Sequence, residues 1–126
     1  MPHIIVEYTD NIKHEAEIAT LLQKLNEVLV SKPDIFPVGG IRSRAIELHD
    51  YVIADGKEDD AFVHITIKIG SGRTDEQKKE TLDELFEATK DHFQPMFDKR
   101  YLALSLEWFE FENKTYKHNN IHTRYK

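Results

Sequence analysis

The same order of signals runs through this chain twice. His3 to Tyr8 is a short run rich in β-branched residues that reads as a strand, and Thr9-Asp10-Asn11 follows as a cluster able to cap a helix. Ile18, Leu21, Leu22, Leu25, Val28 and Leu29 then recur at spacings of three and four, which predicts a helix from about Ile12 to Ser31 with one apolar face. Pro33 stops it, and Pro37, Gly39 and Gly40 keep the next segment irregular. Ile41 to Ile53 resumes an extended pattern, and Ala54 to Asp60 is a polar turn.

The second pass begins at Phe62. From there to Ile69, Phe62, His64, Thr66 and Lys68 alternate with Val63, Ile65, Ile67 and Ile69, a period of two that turns one side of a strand to a core. Gly70-Ser71-Gly72-Arg73 turns the chain, and Thr74 with Gln77 three residues on is a capping-box pattern. Leu82, Leu85, Phe86, Phe93 and Phe97 continue as a helical stripe in which Pro95 predicts a kink near the end. Leu102 to Phe111 is a last strand, and the residues from Glu112 onward are polar. Thr-Asp opens the helix in both halves, at Thr9-Asp10 and Thr74-Asp75.

Two β-α-β halves, about 1–60 and 61–126, predict one α+β domain over residues 1–126. Its four-stranded sheet is covered on one face by two antiparallel helices. Such a sheet leaves its other face bare, and Trp108, Phe109 and Phe111 put large apolar groups on both sides of the last strand. The bare face is expected to be covered by further copies of the chain, as a homo-oligomeric ring with sheets facing a common centre.

The chain has no cysteine, which removes thiol chemistry, cysteine-bound zinc and disulfides, and fits a cytoplasmic location. Residues 1 to 7 have no basic stretch ahead of an apolar one, so no signal peptide is read there. No run approaches the roughly 18 apolar residues that would cross a membrane. With 17 Lys and Arg against 23 Asp and Glu, the net charge of -6 argues against nucleic-acid binding.

Four groups of residues could carry chemistry. His118 and His122 have the i, i+4 spacing of a zinc pair, but no carboxylate or third histidine joins them, so no metal is expected. Arg73, beside the glycine turn, offers a planar fork for a carboxylate close to helix-start amides, although the turn itself has no phosphate-loop pattern. Arg42 and Arg44, separated by one residue on a strand, point to the same side and invite an anion between them. Pro2 leads directly into the first strand; loss of Met1 would leave it a fixed secondary amine.

Together these residues resemble the tautomerase superfamily, and within it the 5-carboxymethyl-2-hydroxymuconate isomerase family, over essentially the whole chain. The resemblance rests on Pro2-His3, Ile35-Phe36-Pro37, Gly40-Ile41-Arg42-Ser43-Arg44, Ala54-Asp55-Gly56, Ala61-Phe62-Val63-His64, Lys68-Ile69-Gly70 with Gly72-Arg73, and Asn119-Asn120 before His122. It implies a homotrimer, the amine of Pro2 as general base, no metal or organic cofactor, and a polycarboxylate dienol substrate from aromatic-acid catabolism. Arg42 and Arg73, and more weakly Arg44, are then the substrate-binding groups. An arylpyruvate-type tautomerase is an alternative, as is a non-catalytic trimeric binding protein if Met1 is retained.

The residue types suit that chemistry. Turning a 2-hydroxydienoate into a 2-oxo-enoate takes a proton from the enol oxygen and delivers one to carbon, and one amine can do both. A proline amine in water lies above the roughly 7.7 to 8.0 of ordinary α-amines, so it would be mostly protonated at neutral pH. Burial and nearby arginines oppose the charged form. One arginine about 6 Å away at an effective dielectric of ~20 contributes roughly 2.8 kcal/mol, near two pKa units before solvent screening.

Overall fold

The computed structural model describes residues 1–125 and has four strands and two long helices in the order β1 (His3–Thr9), α1 (Ile18–Val30), β2 (Arg42–Leu48), β3 (Ala61–Ile69), α2 (Asp75–Phe97), β4 (Leu102–Glu110). The sheet order is β2-β1-β3-β4. Within each half the two strands run parallel, β1 with β2 and β3 with β4, and the halves join through the antiparallel pair β1–β3. Each parallel pair needs a helical crossover, which is what the α1 and α2 stripes provide.

Alternation along the strands decides which face meets the helices. Ile4, Val6 and Tyr8 of β1 and Val63, Ile65, Ile67 and Ile69 of β3 are buried. They form the core with Leu21, Leu25 and Leu29 of α1 and Leu85, Phe93 and Met96 of α2. Fully burying each such side chain contributes roughly 1.5–3 kcal/mol. The helices are antiparallel: Lys24 of α1 lies against His92 of α2, at 3.0 Å, while Lys32, further along α1, pairs with Glu84, earlier on α2, at 2.7 Å. His92 Nε2 donates to Ala16 O at 2.7 Å, because a carbonyl only accepts, and its Nδ1 is thereby left to accept from Lys24 Nζ.

Three expectations about local structure need correcting. The first helix begins at Ile18, not near Ile12: Asp10–Ile12 form a 3₁₀ turn, and Glu17 enters α1 with a left-handed backbone, φ 46° and ψ 57°. Thr9 caps nothing; its buried Oγ1 accepts from Phe62 N at 3.2 Å and ties β1 to the start of β3. The second strand ends at Leu48, because His49 and Tyr51 turn aside to bond the Asp10 carboxylate at 3.1 and 3.0 Å. The Thr74–Gln77 capping box forms as expected, with reciprocal bonds of 3.1 and 3.0 Å. Pro95 lies in the last turn of α2, which runs on to Phe97.

The face of the sheet away from the helices carries His3, Ile5, Arg44, Ile46, His64, Lys68 and Phe109, as the registers place them. Ile46 and Phe109 are 45% and 50% exposed there. Trp108 points the other way, against the core, its ring centroid 6.4 Å from that of Phe36.

Candidate active site

The start of β1, the Gly39-Gly40 corner and the turn before α2 meet at one end of the sheet. They surround a cleft of about 510 Å³ whose walls include Met1, His3, Pro37, Gly40, Gly70, Ser71 and Arg73. Pro2 is buried here, and its carbonyl accepts from Arg42 N at 3.2 Å, which continues the β1–β2 ladder to the chain start. The fourth wall is the segment after β4, with Phe111, Lys114, Lys117 and His122 among its lining residues and Glu112 as the one acidic group.

Arg73 is held rather than free. Its Nη1 donates to Gly70 O at 3.2 Å and its Nη2 to Ile35 O at 3.1 Å, while the guanidinium carbon lies 5.4 Å from the centre of the Phe36 ring. A guanidinium has five N–H groups, so the remaining ones are available to the cleft. Burial lowers the pKa of Arg73, with the charge of Glu110 acting in the opposite direction. That carboxylate is itself engaged by Lys78 at 2.8 Å and by Trp108 Nε1 at 3.1 Å. The Thr74–Gln77 capping box takes the amides of Thr74 and Gln77, and Arg73 is the cleft's cation at this turn.

Arg42 and Arg44 leave the strand on the same side, as their spacing predicts, but end in different places. Arg42 Nη2 reaches Met1 Sδ at 3.4 Å, beside the cleft. Arg44 is exposed and lies 3.1 Å from His3 Nδ1, on the open face of the sheet and outside the cleft lining. The structure thus places Arg73 in the cleft lining, Arg42 against Met1 at the chain start, and Arg44 behind the His3 wall.

The electrostatics follow from this gathering. The amino group of Met1 is held below its ordinary value, first by burial and then by the charges of Lys117, Arg73 and Arg42. His3 is pushed down as well, by burial first and then by Arg44 and Arg42.

The segment after β4 is what sequence reasoning missed. His118 precedes the 3₁₀ turn Ile121–Tyr125, so the helical spacing of a His118–His122 pair is not realised, and no cluster of three potential metal ligands occurs among the described residues. His122 instead packs on the Gly39-Gly40 corner. A Cβ at Gly39 would fall 2.7 Å from His122 Cα and 2.8 Å from its backbone nitrogen, so only glycine allows this approach. The adjacent glycines were the available signal for a close backbone contact, although they could not name its partner.

The sheet order and the paired helices define the fold of the tautomerase superfamily. They superpose on a fused 4-OT symmetric trimer with a TM-score of 0.58, at 19% identity and over 93% of each chain. The family is narrower than the fold. The sequence model of the 5-carboxymethyl-2-hydroxymuconate isomerase family matches residues 2–125, and this chain belongs to that family. It is 43% identical to the 5-carboxymethyl-2-hydroxymuconate Delta-isomerase of Escherichia coli over the whole of both chains. It is 56% identical to the crystal structure of a 5-carboxymethyl-2-hydroxymuconate isomerase from Deinococcus radiodurans R1, with a TM-score of 0.95 over 99% of this chain and 94% of that one. The protein is therefore an enzyme, an isomerase with the tautomerase fold. None of its described helices is long and apolar enough to cross a membrane.

Proposed function

We propose that this enzyme converts 5-carboxymethyl-2-hydroxymuconate to its 2-oxo-enoate isomer, with the amine of Pro2 taking the enol proton and returning one to carbon. The observation that carries the reading is the environment of the chain start. The Met1 amine is held down there by burial and by three cations, and a Pro2 amine freed one residue further on would meet the same kind of setting, which turns a strong amine into a base active near neutral pH. While Met1 is attached, the Pro2 nitrogen is an amide without a basic lone pair, so the reaction requires its removal.

Arg73 and Arg42 bind the substrate carboxylates, and Arg44 is the weaker candidate because it lies outside the cleft lining, with its guanidinium already against His3. The bound anion offsets part of the cationic field, which raises the amine's pKa and helps it keep the proton it has just taken. The cationic walls also explain how a chain with a net charge of -6 accepts an acidic substrate: its carboxylates are spread over surfaces such as α2, at Asp83, Glu84 and Glu87.

The active form is a homotrimer in which the open sheet face is covered by neighbouring copies. Half-exposed Ile46 and Phe109 on that face support this, as does the symmetric trimer formed by a protein of the same fold. Light scattering should give three times the chain mass of 14.8 kDa.

The deciding experiment is the pH dependence of turnover of 5-carboxymethyl-2-hydroxymuconate by protein whose mass confirms loss of Met1. A base limb with an apparent pKa below that of a free proline amine is expected. Full activity in protein that retains Met1 would overturn the proline's role.

A further inference from the structure

Two donors from the two halves of the chain meet on one atom. Arg42 Nη2 lies 3.4 Å and Asn119 Nδ2 lies 3.5 Å from the sulfur of Met1. The orientation of the Asn119 amide is set by its other partners. Its Oδ1 accepts from Ile121 N at 2.7 Å, and a backbone N–H only donates; its Nδ2 donates to Gly39 O at 2.9 Å, and a carbonyl only accepts. One hydrogen of the NH₂ is thereby assigned to Gly39, and the second is the one aimed at the sulfur.

A thioether is a weak acceptor. If Met1 is removed, as the proposed function requires, it leaves behind a charged donor and a neutral one converging on the space next to the Pro2 nitrogen. Asn119 is half-buried and braced at both ends of its amide, so that donor is preorganised. The segment carrying it is seated by His122 on Gly39, which no other residue could replace without moving it. A carboxylate has two oxygens, one for each donor, and needs donor distances of about 2.7–3.2 Å, a few tenths of an ångström shorter than those to sulfur.

The geometry points to Asn119 as a substrate-binding residue that, with Arg42, grips one carboxylate of the substrate beside Pro2, in the place the Met1 sulfur holds before processing. This inference rests on the proposed proline reading for its substrate. Its test reads binding of an inert ligand, so the two can fail separately.

Calorimetric titration of mass-verified, Met1-free protein with adipate, an unreactive dicarboxylate, is the measurement. Asn119→Ala should raise Kd about tenfold or more, the loss expected for a hydrogen bond to a charged group, and Asn120→Ala should leave it unchanged. The loss at Asn119 should shrink in an Arg42→Ala background, because the two donors share one ligand group. Protein that retains Met1 should bind adipate weakly even with both donors intact. An Asn119→Ala protein that binds like the parent would overturn the inference. So would an equal loss with and without Arg42, which is the behaviour of a residue that merely tethers the segment. The imidazole proton signals of His122, followed in the same samples, register whether the segment stays seated; Asn119→Asp, which keeps the Ile121 bond and loses the donor, should weaken binding at least as much.

Discussion

The two β-α-β halves reach the same topology by different local means. In the second half the chain passes from β3 to α2 through a short turn, with Gly72 at φ +125° and a complete capping box. In the first half it needs a 3₁₀ turn, several irregular residues and a left-handed Glu17 without any side-chain cap. The site inherits this asymmetry. The first half supplies the chain start and Arg42; the second supplies Arg73 from its tight turn and, beyond β4, the segment that closes the cleft. A doubled topology therefore has a chain terminus at the start of only one of its halves: β3, which pairs antiparallel with β1, is entered from Asp60 through an ordinary peptide nitrogen.

The sharpest way to test this asymmetry is Pro2→Ala on protein whose mass confirms processing. A general acid–base contributes about 10²- to 10⁴-fold, so steady-state turnover of the muconate should fall by at least about a hundredfold, with the fold unchanged by circular dichroism. Unchanged activity would remove the functional difference between the halves.

In the core the halves should behave alike. Leu25 of α1 and Leu85 of α2 are both fully buried, and replacing either by alanine should cost about 2–5 kcal/mol in urea unfolding. A large difference between them would mean that one half carries the stability.

The helix starts should differ measurably. Thr74→Ala removes a formed cap and should destabilise the protein by about 1 kcal/mol. Glu17→Gly relieves a left-handed backbone and should stabilise it by a few tenths of a kcal/mol to about 1 kcal/mol.

The smallest effect lies at the strap after β2. The hydrogen bond from His49 is the main cause that lowers the pKa of Asp10 and raises that of His49. A raised histidine contributes stability fully below its unfolded value and loses it as pH rises through the folded one. A lowered carboxylate contributes fully above its unfolded value and loses it as pH falls through the folded one. The strap thus contributes fully between the ordinary values of Asp10 and His49, and is lost as pH falls through the lowered Asp10 value or rises through the raised His49 value. In NMR titrations Asp10→Asn should bring the His49 midpoint back down; no change would show that the contact is not kept in solution.

Much of the fold was legible in the residues. Strict alternation in Phe62–Ile69 and the three-and-four spacing of Ile18–Leu29 each lie within one element, so a local window reveals them. The first helix start was misread because Thr9 looks like a cap in isolation, whereas its hydroxyl is taken by Phe62, 53 residues away. Similarly, the parallel direction of Arg42 and Arg44 follows from strand geometry, but their separation depends on His3 capturing Arg44 and Met1 meeting Arg42 across 41 residues of sequence.

The sequence by itself determined the order of elements, the doubled topology and the uncovered sheet face, because periodicity is a property of short stretches; the candidate roles of Pro2, Arg42 and Arg73 are what its resemblance to the family implies. Only the tertiary structure decided that the polar residues after β4 fold back onto Gly39-Gly40 and bring Lys117 and Asn119 to the chain start. The contacts of Asn119 span 80 residues to Gly39 and 118 to Met1. They depend on the space a missing Cβ leaves open, and a glycine in a sequence does not say which distant residue will fill it.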